Sequence, residues 1–337
     1  MKAEILETGQ YNAWNDFVDR SPQGDVFCYS WWLDAITDSG FRIYVIKENG
    51  EIVAGMPLAF DSFRKINLPP LTRTLGVLFA DSKDETGRKI STSHRKCLSL
   101  LLDNINPDEF VQTCAHHEFN DWLPYRWKGL SQTTRYTYLL NFRDRSINEI
   151  SENLDNLRKR TIATARKNGI QTTISSDFSV VYRFAEMSYR RQGLNFNLPF
   201  GELKRLDDAI ERRGKRVIFT ALKENVIHAV LYIAFNKRSA YYLLSGSDPE
   251  LRGQGGHTLV MWDAIEYFHD KVEYFNFGGS DIENIESHVR GFGGIQTPYF
   301  HIFNKNNIHQ TELRHHLKRS MFHLSAAAKA LMLRFTR

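Results

Sequence analysis

A glycine-rich stretch that follows an apolar run has residue types and spacing suited to chemistry. Residues 240–244 read as a strand, residues 245–257 run Ser-Gly-Ser-Asp-Pro-Glu-Leu-Arg-Gly-Gln-Gly-Gly-His, and helical spacing resumes over 258–268. A loop with uncovered backbone before a helix presents free amide N–H groups and the positive end of the helix dipole. This stretch therefore predicts a cradle for an anion such as a phosphate.

A second glycine-rich turn follows the next predicted strand. Residues 272–277 alternate as a strand, and Gly278-Gly279-Ser280-Asp281 comes before a helix over 282–292. If the two strands are neighbours, both turns lie at the carboxyl edge of the sheet, where open α/β sheets place ligands. The candidate binding residues are Arg252, Gly253, Gln254, Gly255, Gly256, His257 and Ser280.

Four side chains are candidates for acid–base work near these turns. Asp281 and Glu283 lie nearest the predicted meeting point, and Tyr242 and His228 are the others. Each has a structural explanation as well: Asp281 as a helix N-cap, Glu283 as a first-turn acid, and the other two as satisfied core groups. The sequence lacks a G-x-S-x-G elbow, an H-E-x-x-H pair and a P-loop lysine, which argues against covalent hydrolases, metalloproteases and P-loop enzymes.

Composition bounds the class of protein. A chain of 337 residues with 42% apolar residues predicts two domains, and it contains no run of eighteen uncharged apolar residues and no secretion signal, so we expect a cytoplasmic protein. Cys28, Cys97 and Cys114 are odd in number and widely spaced, which favours reduced thiols over disulfides or a zinc site, and no metal is expected. The net charge of +5 is mild, but the basic residues are clustered along the chain. Such clusters suit an anionic partner or form solvated helix faces.

Two similar hairpins indicate an internal repeat. Residues 41–60 and 217–235 each read as two strands around a tight turn, and Lys47-Glu48-Asn49 aligns with Lys223-Glu224-Asn225 if Gly50 is placed in a gap. Such a repeat implies two copies of one α/β unit, unless two ordinary hairpins are alike by chance. In this alignment only the second copy has the glycine-rich turn before a helix.

Several further elements follow from local signals. Asn106-Pro107 predicts the start of a helix over 108–119, and residues 136–140 predict a strand. His116-His117 lies near the end of that predicted helix, where a surface or C-terminal capping role is favoured over metal binding. Ser146 and Glu149 have the spacing of a capping box for a basic helix that ends at Gly169. From Gln310 onward a basic amphipathic helix is expected, which packs on the protein or lies on an anionic membrane surface. The predicted domains are an N-terminal domain over 1–140 and a C-terminal domain over 141–308, followed by the amphipathic helix over 309–337.

These pieces resemble the GNAT acyltransferase superfamily, and specifically its tandem branch with the Fem-type aminoacyl ligases and BioF2-like acetyltransferases. The resemblance covers most of the chain and is strongest over 153–303. It is carried by Leu157-Arg158-Lys159-Arg160 with Ala165-Arg166-Lys167-Asn168-Gly169, Arg191-Gln192-Gly193-Leu194 with Leu198-Pro199, the stretch Ser247 to Arg252, Phe275 to Ser280, Arg290 to Gly294, and Pro298-Tyr299.

The resemblance implies an α/β (α+β) fold of two tandem GNAT-like domains, each a mixed, largely antiparallel sheet flanked by helices. The family's donor loop, R/Q-x-x-G-x-G/A, falls on Arg252, Gly255 and His257, so histidine replaces the last small residue unless Gly256 takes its place. Related chains often read Phe-Asp-Phe-Glu-Gly-Ser, whereas this one has Asn276 and Gly278 at the two acidic positions. An acidic role cannot be carried over to those positions.

The resemblance further implies an N-acyltransferase in which an amine attacks the donor carbonyl directly. The expected donor substrate is acyl-CoA (acetyl-CoA), and the expected acceptor is a small-molecule amine, such as an amino sugar, or a cell-envelope precursor. The alternatives are a Fem-type transferase that takes its group from aminoacyl-tRNA, through the basic helix from Arg158 to Lys167, and a non-catalytic GNAT-fold module for a phosphorylated precursor. No DNA partner is expected, and the amphipathic tail allows a peripheral membrane contact.

Overall fold

The computed structural model describes residues 1–81, 87–193, 195–279 and 283–308. Ser280, Asp281 and the amphipathic helix predicted from Gln310 onward lie outside the described residues. Within the described part of the chain, no helix is both long and apolar enough to cross a membrane.

Strands form two sheets. They are β1 (Ala3–Ile5), β2 (Phe41–Glu48), β3 (Glu51–Ala59), β4 (Leu78–Phe79), β5 (Gln112–Cys114), β6 (Ser131–Asn141), β7 (Gln171–Ser175), β8 (Arg216–Lys223), β9 (Val226–Phe235), β10 (Ser239–Ser247), β11 (Tyr274–Asn276) and β12 (Ile295–Phe303). The first sheet has the order β1-β2-β3-β4, and the second has the order β5-β12-β6-β11-β10-β9-β8-β7.

Helices flank both sheets. They are α1 (Tyr11–Arg20), α2 (Ser30–Ile36), α3 (Gly87–Leu102), α4 (Leu123–Trp127), α5 (Ile147–Glu152), α6 (Asn156–Lys167), α7 (Phe178–Arg191), α8 (Phe200–Glu211), α9 (Gly256–Phe268) and α10 (Glu283–Arg290). Helix α9 is apolar almost all round and packs between β8, β9 and α6, so it is the buried helix of the second half. The predicted α/β class is confirmed.

The large sheet joins the two halves of the chain. Strands β5 and β6 belong to the first half by sequence, yet β6 lies between β11 and β12, and β5 pairs with β12. Backbone hydrogen bonds therefore tie residues 112–141 to strands that form 130 residues or more later in the chain. The division at residue 140 stays a prediction, and the sheet runs across it.

The two predicted hairpins are present, and their geometry corrects the alignment between them. Both turns have two central residues with positive φ, Asn49 and Gly50 in one and Glu224 and Asn225 in the other. This is the backbone of the tight turn that matches the twist of a hairpin. Equivalent positions are thus Gly50 and Asn225, and no gap is needed.

The helix predicted over 108–119 is wrong. Only a short 3-10 turn, Pro107–Glu109, follows the start signal, and β5 comes next. Phe110 is buried, and the Val111 N–H donates to the Ile66 carbonyl oxygen over 2.8 Å. Pairing with β12 offers this segment a full set of backbone hydrogen bonds, which outweighs the weak helix propensity of a few residues.

His116 and His117 are therefore not at a surface helix end. The side chain of His116 is 7% exposed, and its Nδ1 accepts a hydrogen bond from the Glu118 N–H over 3.2 Å. Burial holds the pKa of His116 well below its usual value. The prediction of a surface or capping role fails because β5 carries the pair into the interior.

The basic segment after β6 forms two helices instead of one. The capping box is confirmed, since the Glu149 N–H donates to Ser146 Oγ and the Ser146 N–H donates to Glu149 Oε2. A new start interrupts the helix at Asp155, whose Oδ1 accepts from the Arg158 N–H over 2.6 Å. Gly169 ends α6 with a φ of 78°, as predicted.

Candidate functional site

A wedge opens between β10 and β11. The two strands are parallel neighbours, as predicted, but they pair only from Ser239 with Tyr274 to Tyr241 with Asn276. Strand β11 ends there, while β10 continues to Ser247 beside β9 alone. The edge of β10 that faces β11 thus has no strand partner beyond Tyr241 among the described residues. Such a divergence at the carboxyl ends of parallel strands is a place for a ligand.

The predicted cradle lies at the far end of β10. Residues Arg252–Gln254 form a 3-10 turn, Gly255 has a φ of 84°, and α9 begins at Gly256. No side chain that the structure describes caps this helix start. In the described residues, the first-turn N–H groups of α9 have no acceptor, and they carry the positive end of the helix dipole.

Glycine is required in the cradle for packing as well as for backbone freedom. A Cβ at Gly255 would lie 2.8 Å from Thr161 Cγ2 of α6, and one at Gly256 would lie 2.8 Å from His228 Cβ. Space around Gly253 is open. Gly255 and Gly256 therefore let α9 approach α6 and β9 closely. The assignment of these glycines to donor binding stays a prediction.

Positive charge collects at the mouth of the cradle. Arg191, at the end of α7, and Arg252 are exposed, and neither pairs with an acid among the described residues. Burial and the charge of Arg252 lower the pKa of Arg191. Two uncompensated guanidinium groups beside free helix amides make this surface attractive to a phosphate.

Two of the candidate residues, Tyr242 and His257, are linked through Ser245. Tyr242 and Ser245 of β10 are hydrogen-bonded through their hydroxyl groups, and Ser245 Oγ lies 3.1 Å from His257 Nε2. Burial, with the charges of Arg252 and Arg191, lowers the pKa of His257 to about 4. Its ring centroid lies 5.2 Å from that of His288 of α10. Burial, with the charges of His257, Arg158 and Arg252, lowers the pKa of His288 to about 2. Both imidazoles are neutral near pH 7.

Residues from the first half of the chain line the other side of the wedge. The lining residues from the first half are Arg73, Thr74, His117 and Thr137, and those from the second half are Tyr241, Asn276, Gly278 and Tyr299. Arg73 Nη2 is 3.5 Å from the Leu243 carbonyl oxygen, and burial with the charge of Arg238 lowers the pKa of His117 to about 4. Sequence reasoning missed Arg73 and His117 because neither belongs to a motif near the glycine-rich turns.

Asn276 holds the second glycine-rich turn in place. Its Oδ1 accepts from Thr137 Oγ1 over 2.6 Å and from the Gly278 N–H over 2.9 Å. A Cβ at Gly279 would meet the Tyr136 carbonyl oxygen at 2.0 Å, so the turn also packs directly on β6. The amide at position 276 thus has a structural role in the described contacts.

A buried carboxyl group supports the wedge from the first half. Asp25 Oδ2 accepts from Tyr241 Oη and from Thr74 Oγ1, the latter over 2.6 Å, and Oδ1 accepts from the Val26 N–H. Burial raises the pKa of Asp25 to about 6, and these hydrogen bonds oppose that rise. Asp25 therefore positions two side chains of the wedge wall.

We expect Asp25 to make stability fall between about pH 4 and pH 6. Between its unfolded pKa and its raised folded pKa, the folded protein binds more protons than the unfolded chain, so the unfolding free energy decreases as pH rises. The shift from 3.8 to about 6 corresponds to about 3 kcal/mol. Urea unfolding would measure the unfolding free energies of the native protein and of Asp25→Asn as a function of pH. The difference between the two should change between about pH 4 and pH 6, and a constant difference across this range would refute the assignment.

Of the remaining predicted acid–base residues, the two that the structure describes do not line the wedge. Glu283 is the exposed first residue of α10, and Asp281 lies outside the described residues. His228 is 4% exposed beside Gly256, and burial lowers its pKa. Its Nδ1 has no hydrogen-bond partner among the described residues. Of the candidates that the structure describes, Tyr242 and His228 both lie near the cradle. Tyr242 reaches it through Ser245 and His257, and His228 lies beside Gly256.

Two other features of the described residues have some of the properties of a ligand site. Asp207, Asp208 and Glu211 place carboxylate oxygens within 4.8 Å of one another, but Arg216 and Lys204 already form ion pairs with them. A cavity of about 290 Å³ lies in the first half between α3 and the segment after β5, with the Arg95–Asp121 ion pair in its wall. Neither shares a lining residue with the wedge.

Comparison with known proteins identifies the fold. Residues 151–284 match the family described as acetyltransferase (GNAT) domain. The crystal structure of FemX is similar over 89% of this chain and 97% of that chain, with 14% identity and a TM-score of 0.67. No curated protein matches the sequence.

Two further solved structures share the fold at lower similarity. One is the C-terminal domain (DUF2156) of a putative lysylphosphatidylglycerol synthetase from Agrobacterium fabrum, with 12% identity, a TM-score of 0.51, and 90% of this chain and 95% of that chain covered. The other is L-PGS from Bacillus licheniformis, with 12% identity, a TM-score of 0.50, and 90% and 93% covered. Identities this low establish the fold and leave the substrates open.

Proposed function

We propose, from the GNAT acetyltransferase domain that residues 151–284 form, that this protein is an N-acyltransferase with acyl-CoA as its donor. One observation carries the proposal: among the described residues, a helix start without a side-chain cap and two arginines without an acidic partner lie beyond the carboxyl end of β10, and the wedge begins further back along the same strand, at Tyr241. A donor with phosphates at one end and a reactive acyl group at the other fits this arrangement.

The spacing along β10 suits a donor with a long arm. Tyr242 and Ser247 are five residues apart, which corresponds to roughly 17 Å of strand. The phosphates would bind at Arg252 and the first turn of α9, and the arm would follow the unpaired edge of β10. The acyl carbonyl would then lie near Tyr242 and Gly278, where the wedge begins.

Direct attack by the acceptor amine fits the cysteines of this chain. Cys28 and Cys114 are fully buried, and burial raises the pKa of both thiols, that of Cys114 to about 11. An acyl-enzyme on either sulfur is disfavoured. The amine nitrogen therefore bonds to the acyl carbon, the carbon–sulfur bond breaks, and the proton lost by the amine balances the one gained by the thiol.

The acceptor would enter from the side that the first half lines. Arg73, Thr74 and His117 face the wedge there. A neutral imidazole and a guanidinium group can hold an amine whose remaining part is polar or anionic. An amino sugar or a cell-envelope precursor is the acceptor class we propose, and the first half would shape its binding site.

Two contacts favour acyl-CoA over aminoacyl-tRNA. Arg158 is buried, and Arg166 pairs with Asp263 and Glu266 of α9. Side chains engaged in this way are poor candidates for a phosphate-binding surface, which needs free cations. The basic row on α6 thus offers less to tRNA than its sequence indicates.

Coenzyme A should stabilise the protein against unfolding. At a ligand concentration of 100 times Kd, binding to the folded state adds about 2.7 kcal/mol, which thermal unfolding detects. Acetyl-CoA should act alike, and a mass-spectrometric screen of amines would then identify the acylated acceptor. No shift with either ligand, together with a shift by aminoacyl-tRNA or a phosphosugar, would refute the acyl-CoA proposal in favour of an aminoacyl transferase or a non-catalytic binding module.

A further inference from the structure

An irregularity in β10 brings Tyr242 and Ser245 together. Residues three apart in a regular strand point to opposite faces of the sheet. Between Tyr242 and Leu244, the register of β10 against β9 shifts, so Leu243 is an extra residue in a β-bulge. Leu243 and Leu244 both pack in the core that contains Phe27, whereas Tyr242 packs on the core that contains α9. The bulge thus places the Tyr242 and Ser245 side chains on one face.

The start of α9 brings the third member to this face. His257 is in the first turn of α9, and its Nε2 reaches Ser245 Oγ at 3.1 Å. Three titratable or hydroxyl groups therefore form one chain from the wedge to the cradle. The backbone of Tyr242 lies at the wedge end, because its carbonyl oxygen is 3.4 Å from the place of a Cβ on Gly278. The charge of Arg73, which lines the wedge, acts on the Tyr242 hydroxyl group.

We propose that Ser245 and His257 form a proton relay for Tyr242, in which His257 Nε2 accepts the Ser245 hydroxyl and Ser245 Oγ accepts the Tyr242 hydroxyl. The inference rests on the proposed acyl transfer. Tyr242 is then the group that contacts the reacting amine, and Ser245 and His257 act through it as positioning residues.

The relay accounts for each proton of the transfer. As the amine nitrogen bonds to the acyl carbon, its proton passes to Tyr242 Oη, that of Tyr242 passes to Ser245 Oγ, and that of Ser245 passes to His257 Nε2. When the carbon–sulfur bond breaks, the same three transfers run in reverse and deliver a proton to the leaving sulfur. The side chains end as they began, and the products are an amide and free thiol.

The charges around His257 couple this relay to the donor. Arg252 faces it from the loop, Arg191 from α7 and His288 from α10, while Arg158 of α6 faces His288. Arg73 and Tyr189 face Tyr242. In the free protein, the charges of Arg252 and Arg191 oppose protonation of His257. A phosphate bound at the cradle compensates them, so donor binding makes His257 a better proton acceptor.

The first test reads the tautomer of His257 by ¹⁵N NMR of histidine-labelled protein. The relay requires a neutral ring protonated at Nδ1, with Nε2 free to accept. His116 is the internal reference for the opposite tautomer, since its Nδ1 accepts from the Glu118 N–H. Loss of the His257 signature in Ser245→Ala supports the proposal. A His257 ring protonated at Nε2 would overturn it, whether or not any donor binds.

The second test measures thiol release from acetyl-CoA with hydroxylamine as a small acceptor. We expect Ser245→Ala and His257→Gln to lower kcat roughly 100-fold with the KM for acetyl-CoA unchanged, and Ser245→Thr to retain activity. His269→Gln, beyond the other end of α9, is the matched control. An unchanged kcat with a raised KM in His257→Gln would overturn the relay and leave His257 as a donor contact. Absence of both coenzyme A binding and thiol release in the unmodified protein would instead remove the proposed function, with the tautomer still read independently.

Discussion

Replacing Arg252 with alanine should weaken coenzyme A binding by about 10- to 100-fold and leave the melting temperature of the free protein unchanged. Arg252 is exposed and forms no ion pair with the described residues, so its loss disturbs little in the fold. Charge-assisted hydrogen bonds to a phosphate contribute about 1.5–3 kcal/mol, which corresponds to that range of affinity. Isothermal titration calorimetry at two salt concentrations would measure both the affinity and its salt dependence.

The matched control for Arg252 is Arg160→Ala. Arg160 is an exposed arginine on α6 whose Nε donates to the Asn156 carbonyl oxygen in its own helix. Its removal takes away the same charge at a place that the donor would not contact. Equal losses of affinity in the two variants would mean that coenzyme A responds only to net charge, and that the cradle is not its site.

Replacing Arg158 with alanine should lower the free energy of unfolding by about 3 kcal/mol and have little effect on donor affinity. Arg158 is 7% exposed, and its guanidinium group donates to the carbonyl oxygens of Ser287 and His288 near the end of α10. Hydrogen bonds from a charged donor contribute about 1.5–3 kcal/mol, and their loss leaves buried carbonyl groups without partners. Urea unfolding would measure the change.

The Arg158 variant also tests the aminoacyl-tRNA alternative. A tRNA-binding role predicts a stable variant with weaker tRNA binding and a smaller dependence on salt. The structural role predicts the opposite: Arg158→Ala lowers the free energy of unfolding, and the separate variant Arg160→Ala leaves it almost unchanged. Gly291 supports the structural role, because a Cβ there would lie 2.9 Å from Arg158 Nε, so this arginine is tightly enclosed.

Local signals were the ones that sequence reasoning used correctly. The strand, loop and helix of the cradle, the two hairpins and the capping box at Ser146 each depend on residues within a few positions of one another. Their physical causes are backbone freedom at glycine, tight-turn geometry and side-chain capping, all of which act over one or two turns of chain.

The errors arose where distant segments decide the outcome. Residues 112–114 pair with β12, which is nearly 190 positions away, and so become a strand despite a helix start signal. The positive charge of Arg158 marked it as a surface residue, yet it caps α10 from the inside. The sequence alone predicts that a charged residue is exposed, because the groups that would pair with it in the interior lie far away along the chain.

The sequence by itself determined the strand, loop and helix of the cradle and the repeat of the hairpin, and anion binding at the cradle stays a prediction. Tertiary structure alone decided which groups meet there. Asp25, Arg73 and His117 come to the wedge from far along the chain, and one extra residue in β10 turns Tyr242 toward Ser245 and His257. The physical reason is that strand pairing and register fix which side chains share a face, and register is a property of two strands and not of one.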